Sequence, residues 1–137
     1  MLNKRDFADI KVGEKACFRK PISESDITLF ASICGDFNPI HVDKEFAKGS
    51  FFKERVAHGM LTASLISTAV AEILGYGGIY LSQTLKFTAP VKIGDTITVT
   101  AEVIEKMEKN RVKMKTTCAN QDGKIVIEGE ASGFVPT

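Results

Sequence analysis

A chain of 137 residues, 44% of them hydrophobic, carries enough apolar material for one substantial core and too little length for two, so a single domain over residues 1–137 is expected. Lys and Arg number 18 against 17 acidic residues, a formal net charge of +1, and this balance excludes recruitment of nucleic acid or an anionic membrane surface by global charge. The three cysteines, Cys17, Cys34 and Cys118, lie far apart with no CxxC pattern, which excludes a zinc knuckle, a redox pair or a disulfide framework and suits reduced thiols in the cytoplasm.

In chain order, the opening MLNKRDFADIKVGEK mixes acids with bases and lacks the apolar core of a signal peptide, so no export is expected. After a turn at Val12-Gly13, Lys15 to Ile22 reads as one short strand closed by Pro21. Ser23 or Ser25 can cap a helix in which Ile27, Leu29, Phe30 and Ile33 recur, with one face inward and an end near Gly35. The segment GDFNPIHVDKEFAKGSFFKERVAHG is rich in turn formers and charges. It exceeds an ordinary connection, so short helical turns and functional residues are expected within it. From Met60 to Leu74 the apolar residues cover most of a helix's circumference, with Glu72 the only charge. Such a helix should be wrapped by other structure, and it is too short to cross a bilayer.

Four strand patterns follow. Ile79, Leu81, Leu85 and Phe87 alternate with polar neighbours, as do Ile97, Val99, Ala101 and Val103. Val112, Met114 and Cys118 oppose Arg111, Lys113 and Lys115, and Ile125, Ile127 and Ala131 oppose Glu128, Glu130 and Ser132. Period two of this kind marks strands with one apolar and one polar face. Gly94-Asp95, Lys109-Asn110 and Asp122-Gly123 punctuate them as turns, which predicts an antiparallel meander for the last three. A one-sided antiparallel sheet beside a nearly all-apolar helix predicts an α+β domain, a sheet wrapped around a central helix in the hot-dog arrangement.

Both histidines, His41 and His58, fall in the irregular segment with Asp36, Asn38 and Asp43. Gly35-Asp36 and Asn38-Pro39 are ordinary turn material. The sharper reading is that Asp36 and His41, on either side of the Asn-Pro bend, turn toward one point and hold a water. Adding water to an α,β-unsaturated thioester needs a base for the water proton and an acid for Cα, and a carboxylate with an imidazole suits both. Enolate charge on the thioester oxygen needs preorganised donors. Gly59 begins the central helix, where backbone N–H groups are unpaired and no side chain blocks approach, although a tightly packed helix start explains the same glycine. Ser67, like Ser64 and Thr68, can face a substrate channel or satisfy a carbonyl one turn back. His58 reads either as a second acid or base or as a residue that orients the loop. Asp36, His41, Asp43 and His58 are sound metal ligands, but no fixed ligand spacing supports a site and none is expected. Lys86, Arg111, Lys113 and Lys115 read as a solvated strand face.

The run Gly35-Asp36-Phe37-Asn38-Pro39-Ile40-His41-Val42-Asp43 resembles the signature of the MaoC-like (R)-specific enoyl-CoA hydratases, which have an Asp, an Asn-Pro and a His at this spacing, then an acid. Ala57-His58-Gly59-Met60-Leu61 and Phe87-Thr88-Ala89-Pro90-Val91, with Gly94-Asp95, follow in that family's order. The resemblance implies hydration of a trans-2-enoyl-CoA to an (R)-3-hydroxyacyl-CoA, or the reverse, with no metal and no redox cofactor. It implies a catalytic dyad at Asp36 and His41, a thioester-binding amide at Gly59, and a site serine at Ser67. Asn38 and His58 are carried as further substrate-site candidates. It also implies an acyl thioester of coenzyme A or of acyl carrier protein as substrate, and a homodimer with paired edge strands. A hot-dog thioesterase acting at the carbonyl and a non-catalytic acyl-thioester binder are the alternatives, and the Asp36 to His41 spacing weighs against both.

Overall fold

The computed structural model describes residues 2–137. After a turn of 3-10 helix at Phe7–Asp9, the chain forms β1 (Lys15–Pro21), α1 (Glu24–Cys34), α2 (Pro39–Val42), α3 (Lys44–Lys48), α4 (Gly59–Ser64) and α5 (Ile66–Leu74). Then come β2 (Ile79–Gln83), β3 (Lys86–Phe87), β4 (Thr96–Met107), β5 (Arg111–Ala119) and β6 (Ile125–Phe134). Every pairing is antiparallel, in the order β1-β4-β5-β6-β2, with β3 also against β6. The predicted meander is β4-β5-β6. Lys109 and Asn110 both take positive φ, 62° and 56°, at the β4–β5 turn, a backbone twist that matches the strands it joins.

The inner sheet face carries Ile97, Val99, Ala101 and Val103 of β4 and Val112, Met114 and Cys118 of β5, all fully buried. Against it lies α5, whose buried residues Ile66, Ala69, Val70, Ile73 and Leu74 recur at the spacing of one helical face. The helix packs on β1, β2, β4, β5 and β6, so the sheet curls around it in the hot-dog arrangement. Gly133 on β6 permits the close approach: a Cβ there would lie 2.5 Å from Leu74 Cδ1 and 2.7 Å from the Ile79 carbonyl oxygen.

Several sequence expectations need correction. The helix expected over Met60 to Leu74 is two pieces divided at Leu65, which keeps right-handed dihedrals of −67° and −22°. Just before the division the Ser64 hydroxyl donates to the Leu61 carbonyl at 2.6 Å, a local bond that competes with regular helix hydrogen bonding. The helix is not wrapped all round, because Met60, Ser64, Ser67, Thr68 and Glu72 are exposed. On α1, Ile27 and Ala31 are buried whereas Leu29 and Ile33 are exposed, since positions two apart do not share a helix face. On β6, Ile125 faces out and both Val126 and Ile127 face in. A register shift between Cys118 and Ala119 leaves Val126 as the extra residue.

Ile79, Leu81 and Phe87 are also exposed, because β2 and β3 lie at the sheet's edge. Replacing a residue at the opposite extreme of burial tests the core assignment. Ile73→Ala, under the sheet, is expected to cost about 2–5 kcal/mol, whereas Ile33→Ala on the open face of α1 should change stability by less than about 0.5 kcal/mol. Urea titration of both variants measures the difference.

Candidate active site

The site is assembled from short elements whose ends the sequence fixes. Ser23 caps α1 with a reciprocal Ser23–Asp26 capping box, and Gly35 ends the helix in the left-handed conformation at φ 80°. The chain then enters Asp36, whose Oδ1 accepts the Asn38 backbone N–H at 3.0 Å. This Asx turn leaves Oδ2 free to point elsewhere. Asn38 caps α2 by accepting the Ile40 N–H, with Pro39 in the first turn. One turn later His41 emerges buried, with its Nε2 3.9 Å from Asp36 Oδ2.

The imidazole of His41 is held from the other side. Its Nδ1 lies 2.8 Å from the Val56 carbonyl oxygen, and because a carbonyl only accepts, Nδ1 carries the proton and donates. In the neutral ring the lone pair therefore sits on Nε2, the atom that faces Asp36. Val56 N–H donates in turn to the Ile40 carbonyl at 3.2 Å. Arg55 Nε donates to the His41 carbonyl at 2.7 Å, and its guanidinium pairs with Glu24 of α1 at 2.6 Å. Burial pushes the His41 imidazolium below its usual range, the neighbouring His58 adds to that, and the Val56 carbonyl and Asp36 oppose it.

A cavity of about 500 Å³ opens beside His41, within the range of small-ligand pockets. Its walls are Ile40, His41, Phe52, Val56, Ala57, Gly59, Met60 and Thr62 on one side and residues 87–91 with Val126 and Ile127 on the other. The lining is mostly apolar, which suits an acyl chain. Gly59 is the first residue of α4, so its N–H has no intrahelical acceptor and it lies on the cavity wall.

The structure thus places His41 and Gly59 on one cavity wall, with the Asp36 carboxylate beside His41 but outside the lining itself. Asn38 contributes at one remove, since its side chain is occupied as the α2 cap. His58 is buried behind the dyad and does not line the cavity. Ser67 is exposed on α5, outside the cavity lining. Ligand atoms of Asp36, His41 and His58 lie within 4.8 Å of one another. The rings of His41 and His58 are nonetheless stacked, with centroids 3.9 Å apart and planes inclined by 27°. A zinc ion must lie close to both ring planes at about 2.0–2.1 Å from each nitrogen, and planes so nearly parallel do not meet within that reach. Arg55, Val56 and Thr62 were not among the sequence candidates. Val56 acts through a backbone oxygen that no residue type advertises, and Arg55 reads in sequence as one more charge in a polar loop.

A family model described as "MaoC like domain" matches residues 8–124. The (R)-specific enoyl-CoA hydratase of Rhodospirillum rubrum is 52% identical over 132 residues, covering 95% of this chain and 91% of that protein. The 3-hydroxybutyryl-CoA dehydratase of Methylorubrum extorquens is 46% identical, with coverage of 95% and 83%. Among solved structures, the unliganded R-hydratase PhaJ1 from Pseudomonas aeruginosa superposes with a TM-score of 0.90 at 52% identity, over 95% of this chain and 84% of that one.

The packing at Gly59 makes a prediction. A Cβ there would lie 2.7 Å from two carbons of the Phe87 ring, so Gly59→Ala is expected to destabilise the fold by about 1–3 kcal/mol through overpacking. Denaturant titration should give a smaller loss when Gly59→Ala is introduced into Phe87→Ala than into the parent protein.

Proposed function

We infer, since the chain belongs to the MaoC-like domain family, that it is an (R)-specific enoyl-CoA hydratase. It adds water to a trans-2-enoyl-CoA to give the (R)-3-hydroxyacyl-CoA and catalyses the reverse dehydration. The observation that carries the mechanism is the 3.9 Å gap between His41 Nε2 and Asp36 Oδ2, next to the apolar cavity that His41 lines. Two hydrogen bonds of about 2.8 Å across that gap subtend about 90° at a shared oxygen, so one water accommodates both acceptors.

In this reading the neutral His41 removes a proton from the water at Nε2 while the water oxygen bonds to Cβ. Asp36 accepts the second hydrogen bond of the water, orients it, and stabilises the imidazolium that forms. The carbon–carbon π electrons move to Cα and the thioester oxygen, where the Gly59 N–H offers a donor. The proton held on His41 is then delivered to Cα, which closes the proton balance and leaves the dyad as it began. Dehydration is the same path reversed. The substrate is an acyl thioester of coenzyme A or of acyl carrier protein. We further propose a cytoplasmic homodimer, supported by the unpaired cysteines and by the exposed apolar residues Ile79, Leu81 and Phe87 on the β2 and β3 edge, which pairing with a second copy would cover.

With crotonyl-CoA, the protein is expected to bleach the near-ultraviolet absorbance of the conjugated enoyl thioester without releasing free thiol. Thiol release with no hydration would point instead to a thioesterase. Asp36→Asn and His41→Ala should each lower the rate by about a hundredfold or more while circular dichroism stays native. The sign of the pH dependence follows from His41, which must be neutral to accept the proton. Because its folded value lies below the ordinary imidazole value of about 6.5, kcat/KM for hydration should be flat on the His41 side at neutral pH. It should fall in acid with a midpoint below 6.5.

A further inference from the structure

The hydratase reading uses Asp36, His41 and Gly59 and leaves one buried histidine without a task. His58 is 2% exposed, and its Nε2 lies 2.9 Å from the Asp36 carbonyl oxygen. The carbonyl can only accept, so His58 Nε2–H is the donor. Its Nδ1 is buried and, among the described residues, has no hydrogen-bond partner, so among them the Asp36 carbonyl is the one polar group that orients the ring. The opposite constraint comes from packing: the His58 ring stacks on His41, and the Phe30 ring of α1 meets it at 5.0 Å.

These contacts reach both members of the dyad from one side chain. Asp36 sits in an exposed loop just beyond α1, with its own side chain half exposed. The Asx turn fixes its carboxylate relative to Asn38, and Asn38 in turn caps α2 and accepts the His41 N–H at 2.9 Å. The bond from His58 to the Asp36 backbone adds a second hold on the same loop, from the side of the imidazole that lies against the His41 ring. We propose that His58 is a positioning residue of the dyad, which sets the water-holding gap by gripping the Asp36 backbone with Nε2–H and backing the His41 ring with its face. The proposal rests on the reading of Asp36 and His41 as the catalytic pair. It places His58 outside the group of residues that touch substrate.

The charged and titratable groups that face His41 are the Asp36 carboxylate at Nε2, the His58 ring at its face, and the Arg55 guanidinium on its backbone carbonyl, itself paired with Glu24 of α1. Removing the His58 imidazole takes away one of these and leaves the others. Two variants separate its two contacts. His58→Gln places an amide N–H where Nε2 was and keeps the donor without the stack. His58→Phe keeps an aromatic face and loses the donor.

Both variants, with Asp36→Asn and His41→Ala beside them, are assayed on crotonyl-CoA across pH. A displacement of about 1 Å at a reacting group costs up to about a hundredfold, so each His58 variant is expected to lose about tenfold to a hundredfold in kcat with KM within about twofold. The acid limb of kcat/KM should move to higher pH in both, because the neighbouring imidazole no longer opposes charge on His41. Lowered thermal stability with kcat and the acid limb unchanged in both variants would overturn the proposal and leave His58 a packing residue. Full activity of Asp36→Asn and His41→Ala would overturn the dyad reading itself, together with the proposal. Where the His58 variants do not fold, the tautomer of His58 in the parent protein decides by nitrogen-15 NMR: protonation at Nε2 supports the proposal and protonation at Nδ1 overturns it.

Discussion

The hydrogen bond from His41 Nδ1–H to the Val56 carbonyl, 2.8 Å long, is the interaction on which the site depends. It selects the tautomer, turns the ring, and leaves a lone pair on Nε2 opposite the Asp36 carboxylate. Without it a buried imidazole next to a carboxylate could donate from Nε2, form a direct pair and present no basic nitrogen to a water. Burial then works in the same direction, since it disfavours the charged ring and so favours the neutral form that the proposed base requires. In the proposed reaction the apolar cavity serves both ends, because it would receive the acyl chain and would strengthen every electrostatic contact made inside it.

The fold exists in this account to hold the Val56 carbonyl still. Val56 bridges to Lys92, and the Ala57 N–H donates to the Val91 carbonyl at 2.8 Å, so the irregular segment is stitched to the chain between β3 and β4. Directly after it comes α4, which continues through Leu65 into the buried α5. The C-terminal end of the segment is thus tied to the sheet-and-helix core, while α2 is held by the Arg55 and Val56 bonds. A short helix of one turn would not be stable alone. Here tertiary contacts supply what its length cannot.

Much of this was readable in the sequence because it depends on local chemistry. The Gly35 stop, the β4-β5-β6 meander and the short helical turns in the irregular segment each follow from residue type and spacing, and of the two candidate caps Ser23 is the one used. Most of the features that escaped depend on partners distant in sequence. The extra residue at Val126 turns Ile125 outward, and alternation alone gives no sign of a one-residue slip. The division at Leu65 lies within helical dihedrals and an apolar run. Exposure of Leu81 and Phe87 follows from edge position, which is a property of topology. The candidate chemistry was visible as Asp36 and His41, but the group that fixes their roles is a main-chain oxygen at Val56, and any residue there would supply one.

The protonation state of His41 in the free protein tests the central claim most directly. Long-range proton–nitrogen-15 NMR, assigned by comparison with His41→Gln, is expected to show His41 neutral at pH 7 with its proton on Nδ1, and to follow its titration to a midpoint below about 6.5. A proton on Nε2 would contradict the account, because the nitrogen facing Asp36 would then have no lone pair to offer water, and a midpoint above that value would contradict the effect of burial on the ring.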